Sequence, residues 1–475
     1  MFANGRPLHE VLYRNRWAKL PQILLWVLLA VILVKTAWIG DDAYITFRCV
    51  ENAVTGHGLG FNAGERVQAY THPLWMLLLL PFQALWHEPY WTSLALSFLL
   101  TLWALVQLGR HWKMSIGWLV LPLLAISSKA FTEYASSGLE NALTYSLLAA
   151  FLVRWLGGSD TRRHLFWLSL VTGGMILNRM DTILLVGPAL GMTFWQQRPR
   201  SLRDLGAVWQ VVLGLLPVLV WEIFSILYYG FPFPNTAYAK LGAGIPSADL
   251  WRMGFAYFTD SLERDPVTLP MIGLGIVVAC FQRKWFPLAL GLVLYMVYIR
   301  RIGGDFMSGR FFAAPFLMAL AIVGQWLCSR PKLWLMLAPA ATLAGLLGPT
   351  PMLLSGKDFG NGMQFWNESG IADERVAYYH GTGLLHAFDG RDMPDHGWVQ
   401  LGKDIATWEQ DVVIIGSIGM TGYHAGPDKY IADVYGLADP LFARMPALYK
   451  PGNRPGHYSR AILQNYDESL RLKEN

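Results

Sequence analysis

The chain has 475 residues, of which 54% are hydrophobic, 14% aromatic and only 15% charged, with a formal net charge of +5. Together with a mean hydropathy of +0.33, that balance excludes a soluble enzyme of this size and gives no sign of a nucleic-acid partner. It points to an α-helical polytopic membrane protein whose helices face lipid or one another. The 21 Trp fit such a chain, because an indole at a membrane boundary buries its ring and keeps its N–H wet.

Arg6, Arg14, Arg16 and Lys19 precede the first apolar run, which holds that end in the cytoplasm by the positive-inside rule. The run from Pro21 to Ile39 is longer than a signal-peptide core and is followed by no small-residue cleavage site, so a retained span is expected. Asp41 and Asp42 then stand on the periplasmic side, at the head of a first outer loop over 40–73. That loop carries Tyr44, Phe47 and Arg48 at helical spacing, the glycine-rich stretch Thr55–Asn62 with His57, and a polar run that ends at His72. A loop so rich in aromatic and polar groups between apolar segments predicts an interfacial helix and a turn lining a cavity. The competing reading is that the aspartates only cap a juxtamembrane helix, although one cap needs one Asp and two adjacent carboxylates repel.

Further apolar segments lie near 74–86, 91–109, 115–130, 140–156, 165–178, 181–195, 206–228, 267–281, 285–299, 310–328 and 333–350. Basic linkers at 154–163, 196–204, 282–284 and 329–332 predict cytoplasmic turns, leaving Asn178–Asp181, residues 229–265 and Gly303–Asp305 outside. Twelve simple spans would return the C-terminus to the cytoplasm. One segment within 74–130 is therefore expected to re-enter and not cross, and the total is set at about 11–13 transmembrane helices. Cys49, Cys280 and Cys328 have no ligand-like spacing, so neither a structural zinc site nor a disulfide framework is expected.

After 350 the texture turns to Gly, Asp, His and Tyr, and Val412–Ile415 followed by Gly416 reads as a buried strand. The expected organisation is a membrane catalytic domain over 1–350 and a small periplasmic α/β domain over 351–475.

Five blocks carry a family resemblance: Asp41 to Trp75; Ser137-Gly138-Leu139-Glu140; Tyr228 to Lys240; Gly303 to Phe311; and Gly436–Pro440 with Arg454-Pro455-Gly456-His457. In this order they resemble the GT-C glycosyltransferases that use polyprenyl-phosphate sugars, in the branch of terminal and pilin arabinofuranosyltransferases. The resemblance implies a GT-C fold in a bacterial inner membrane with its active site facing the periplasm. It implies transfer of a sugar, D-arabinofuranose first, from a polyprenyl-phosphate donor to an acceptor such as type IV pilin or a cell-envelope glycan. A hexose or aminosugar donor, and a lipid-linked sugar carrier or flippase that breaks no bond, are the alternatives.

The residues ask for the same parts. Glycosyl transfer passes through an oxocarbenium-like state in which a carboxylate takes the acceptor proton and opposes the developing charge. Asp41 is the first candidate for that base, and Asp42 the second or its orienting partner. A departing phosphate needs cations. Among the outside-facing ones (Arg48, Arg66, Lys129, Arg179, Lys240, Arg300, Arg301 and Arg310), Lys240 and Arg310 are favoured for lying in family-like blocks, with Arg179 third. Tyr44, Arg48, His57, His72, Asn235, Tyr238 and Asp305 are candidate substrate ligands, while Glu140 reads as a helix-end charge. No protein-held metal is expected; a divalent cation is allowed as a companion of the phosphate.

Overall fold

Apolar segments closed by Pro, Gly and charged turns become a helical bundle in the computed structural model, which describes residues 20–112, 115–159, 161–198, 204–450 and 453–471. The cations at 6, 14, 16 and 19 used above for orientation lie outside the described residues, as does part of the basic linker at 196–204. The expected segments return as helices with nearly the same limits: Pro73–Trp86, Pro89–Trp112, Asn141–Gly157, Arg162–Asn178, Ile183–Gln196, Gly206–Tyr229, Phe286–Arg301 and Pro331–Leu347 are examples.

Length divides these helices. Among the described residues three are long and apolar enough to cross a membrane, Pro89–Trp112, Gly206–Tyr229 and Arg310–Leu327, or up to five if each of two bent pairs is one span. Most of the others have 13 to 17 residues, about 20–25 Å at the helical rise, less than the ~30 Å hydrocarbon layer. Burial separates the long ones further. Arg310–Leu327 is the hub of the bundle, with 78% of its apolar window buried, whereas Gly206–Tyr229 is only 17% buried and presents Leu216, Leu219, Ile223 and Leu227 outward.

One bent pair shapes the outer side. After Thr36 the chain turns through 84° into the helix Asp41–Val54, the interfacial helix expected from the sequence. It runs nearly perpendicular to the preceding apolar helix and does not prolong it. The turn is held by Gly40 N–H on the Ser137 carbonyl (3.1 Å) and by Trp38 Nε1 on the Glu133 carbonyl (3.0 Å). Gly138 is required there: it has φ +77°, and a Cβ on it would lie 2.9 Å from both Ala43 Cβ and Ile39 Cγ2.

The segment after 350 consists of short helices, Glu374–Thr382, Leu384–Ala387, Gly397–Ala406, Gly419–Ala425 and Tyr466–Arg471, with two strands, β1 (Val412–Ile415) and β2 (Tyr430–Asp433). The strands pair in parallel, Val412 opposite Tyr430 and Ile415 opposite Asp433, across the connecting helix Gly419–Ala425. β1 is the predicted strand; its inner half is buried and its outer half only partly so. Most buried side chains of this segment do not close on themselves. Tyr379, Ile405, Met420 and Ile431 join Tyr44, Phe61 and Tyr70 of the first loop, with Trp38 and Trp75 on either side of it, in one apolar core.

Candidate active site

The two aspartates open the interfacial helix, and successive helical residues point about 100° apart, so the pair splits in direction. Asp41 turns to the C-terminal segment. Its Oδ1 accepts from Met420 N–H at 2.7 Å and its Oδ2 from Gly419 N–H at 3.1 Å, and the residue is 8% exposed. Gly419 is the residue that permits this approach, since a Cβ there would come within 1.9 Å of the Asp41 carbonyl oxygen. Burial pushes the Asp41 carboxyl up to about 7, with the Met420 and Gly419 N–H groups working against the push and Asp42 adding to it.

That shift has a sign. With an ordinary value of 3.8 when unfolded and about 7 when folded, the group contributes stability that is fully present below 3.8 and lost as the pH rises through 7. Wild type is therefore expected to gain thermal stability over an Asp41→Asn variant when the buffer is changed from about pH 8 to about pH 5. Melting curves that keep the same separation at both values would contradict the buried-carboxylate geometry.

Asp42 turns the other way and is only partly buried. Burial raises its carboxyl above the ordinary range, Arg310, Lys240 and Arg454 pull it back, and Asp305 adds to the rise. These residues come from four places in the chain. Lys240 ends the helix Asn235–Leu241, Asp305 and Arg310 flank the entry to the hub helix, and Arg454 belongs to the C-terminal segment. Two of the cations converge on Phe306: the Arg454 guanidinium lies over its ring, 4.4 Å from the centre, and Lys240 Nζ lies 5.8 Å from it. Asp305 Oδ1 is fixed by the N–H of Phe306 at 2.9 Å. Asp305 Oδ2, Arg310 Nε and Arg454 Nε are buried without a hydrogen-bond partner, an arrangement that calls for a polar ligand.

Behind Arg310 lies a buried network centred on Glu140, the residue before the helix Asn141–Gly157. Its carboxylate receives Arg310 Nη2 at 3.0 Å and Arg179 Nη1 at 3.2 Å, and His72 Nδ1 stands 3.4 Å away. Burial alone would raise this carboxyl, but Arg310, His72 and Arg179 together hold it down at about 2. Arg179 also grips Asp181 through Nε (3.1 Å) and Nη2 (2.6 Å). His72 bonds Thr46 Oγ1 at 2.7 Å through its other nitrogen, and burial pushes it down to about 4, so the ring is neutral around pH 7.

The sequence-predicted residues therefore separate. Asp42, Lys240, Asp305 and Arg310 come together, while Arg179 and His72 stand behind Arg310 on Glu140. Arg48 is elsewhere: 2% exposed, it donates to the carbonyls of Phe61 (2.7 Å), Lys429 (2.7 Å) and Gly422, and so clamps the first loop to the C-terminal segment. A guanidinium with its donors spent on backbone is no substrate ligand. Asn235 is likewise committed, donating to the Gly436 carbonyl (2.9 Å) and accepting from Arg444 (3.0 Å). Tyr44 packs against Phe47, Tyr423 and His424, and Tyr238 against Phe231 under Arg444. His57 is on the surface with Thr55. Glu374 and Arg454, an ion pair, were missed as site residues, and so was the hub role of Glu140. Arg454 lies in a family-like block; Glu374 carries no comparable signal. Among the described residues no group of three or more His, Cys, Asp or Glu is placed to hold a metal ion.

Two curated proteins are similar to this chain over most of its length. The terminal β-(1→2)-arabinofuranosyltransferase of Mycobacterium tuberculosis is 28% identical over 510 positions, which cover 86% of this chain and 79% of that protein. The protein of the same name from Corynebacterium glutamicum is 24% identical over 523 positions, covering 88% and 72%. No family model matches the chain. The similarity agrees with the resemblance to GT-C arabinosyltransferases read from the motif blocks.

Proposed function

We propose that this chain is a membrane glycosyltransferase that moves an arabinofuranosyl group from a polyprenyl phosphate to a hydroxyl on the periplasmic side of a bacterial inner membrane. The observation that carries the reading is the convergence of Lys240 and Arg454 on the Phe306 ring, beside the Asp305–Arg310 pair and within electrostatic reach of the partly buried Asp42 carboxylate. A base and a phosphate-binding pair in one place are what transfer from a lipid phosphate needs.

In this reading Asp42 takes the proton of the acceptor hydroxyl as its oxygen bonds the anomeric carbon. The bond from that carbon to the phosphate oxygen breaks, and the electron pair leaves on the phosphate between Lys240 and Arg310. Asp305 lies where it can accept from sugar hydroxyls, and Glu140 with Arg179 keeps the Arg310 fork aimed. Asp41 acts at one remove, by docking the C-terminal segment. The β-(1→2) linkage in the relatives' names favours a sugar hydroxyl over a pilin side chain as acceptor. Mass spectrometry of surface pilin and envelope glycans from a strain lacking the gene tests this. Loss of a pentose from a glycan supports it, loss from pilin moves the acceptor to protein, and no change in either removes the function.

Orientation has its own test. The exposed Cys280 is first replaced, because it would itself react. A membrane-impermeant thiol reagent added from the periplasm is then expected to label a cysteine at the exposed Asp428 and not one at the exposed Arg163. Labelling of position 428 only after the membrane is opened would put the active site on the other face.

A further inference from the structure

Arg454-Pro455-Gly456-His457 is a tight turn. It is closed by His457 N–H on the Arg454 carbonyl at 3.1 Å, with Gly456 at φ +73° in its third position, the positive φ that a type II turn requires and that glycine adopts freely. The turn is wedged into the site from the C-terminal side. A Cβ on Gly456 would lie 3.2 Å from Lys240 Cε, and a Cβ on Gly370 would lie 2.7 Å from Arg454 Cα. His457 meets the Phe306 ring edge-on at 4.3 Å while Arg454 lies over that ring. One face of the Arg454 fork is thus fixed by Phe306 and one nitrogen by Glu374, which is 3% exposed; Nε is left buried and unpaired.

We propose that Arg454 is a third ligand for the phosphate of the lipid-linked donor, and that Glu374 is the residue that positions its guanidinium. The proposal rests on the transferase reading and extends it: the donor site is completed by the turn Arg454–His457 of the C-terminal segment. A stacked, carboxylate-held guanidinium has lost most of its side-chain freedom in advance, so its remaining donors meet a phosphate at little further entropic cost. Lys240 approaches the same ring, 5.8 Å from its centre, so the aromatic side chain gathers two cations about one position.

The test uses the full chain in detergent or nanodiscs with a synthetic short-chain prenyl-phosphate arabinofuranose as donor. Arg454→Gln is expected to raise the donor KM and the inhibition constant of short-chain prenyl phosphate together, by about 10- to 100-fold, and to leave the acceptor KM unchanged. Arg454→Lys recovers part of the loss. Glu374→Ala reproduces the donor effect, and the double variant adds nothing beyond Arg454→Gln. Arg444→Gln is the structural control, since Arg444 also ties the C-terminal segment down, on Asn235, Phe231 and Tyr238, and does not touch Phe306. An unchanged donor KM in Arg454→Gln, or an equal rise in Arg444→Gln, overturns the proposal. So does equal inhibition of wild type by inorganic phosphate and prenyl phosphate, which marks a free-anion site. Asp42→Asn separates the two levels: if it keeps full transfer the transferase chemistry itself is wrong, and if it is dead while Arg454→Gln binds donor normally, only the present inference fails.

Discussion

Asp42→Asn is expected to abolish transfer, with a loss on the order of 10²- to 10⁴-fold in kcat, while the protein stays folded and inserted. The change removes a proton acceptor and keeps the shape of the side chain, and Asp42 makes no hydrogen bond on which the fold visibly depends. Donor affinity should hold or improve slightly, because the neutral amide no longer competes with a phosphate for Lys240 and Arg310. Asp41→Asn should behave differently. The amide keeps one acceptor oxygen for Met420 N–H and turns an NH₂ toward the N–H of Gly419, so docking weakens and transfer falls on the order of 10-fold. Initial rates for the two variants beside wild type give the answer. A dead Asp41→Asn with an active Asp42→Asn would reverse the assignment and make the docked carboxylate the base.

Glu140→Ala is expected to give a large loss of stability, about 3–5 kcal/mol. Glu140 is 1% exposed and balances two guanidinium groups, with the neutral His72 beside it. Without it Arg179 and Arg310 face each other in a place that water reaches poorly; Arg179 keeps Asp181 at 2.6 Å, but Arg310 keeps only the longer pair with Asp305 at 3.8 Å. Glu140→Gln keeps acceptor capacity and should cost less, yet still leave Arg310 loose and the donor poorly held. Thermal unfolding in detergent measures the first effect, and the donor KM of the glutamine variant the second. If Glu140→Ala melts within a degree or two of wild type, the network is an ornament of the fold and not its brace.

The apolar helices were legible because hydropathy is a property of consecutive residues: the segment expected at 206–228 is the helix Gly206–Tyr229 and that at 91–109 lies within Pro89–Trp112. The direction of the aspartate pair was not. It depends on Gly419, nearly four hundred residues on in the chain, being small enough to let the Asp41 backbone approach. Arg48 and Asn235 were misread for a related reason. A polar residue in a functional-looking loop invites a ligand role, but these two answer the unpaired carbonyls of segments that meet only in the folded chain. That Lys240 and Arg310 share one neighbourhood with Asp42 agrees with their selection from the few cations of so apolar a chain. Glu374 was beyond reach, since its meaning lies in Arg454, eighty residues later.

The clamp of Arg48 on Gly422 and Lys429 also sets an order of events during biosynthesis. A ribosome feeding this chain into the membrane delivers the interfacial helix early and its partners last. Until the stretch from Gly419 to Arg454 has been made, the first loop has no C-terminal segment to pack against, Asp41 has no amides to cap, and the ring of Phe306 carries Lys240 alone. Placement of the apolar helices and assembly of the cluster around Asp42 are therefore separate events, and the second waits on the first loop meeting residues made almost four hundred positions later.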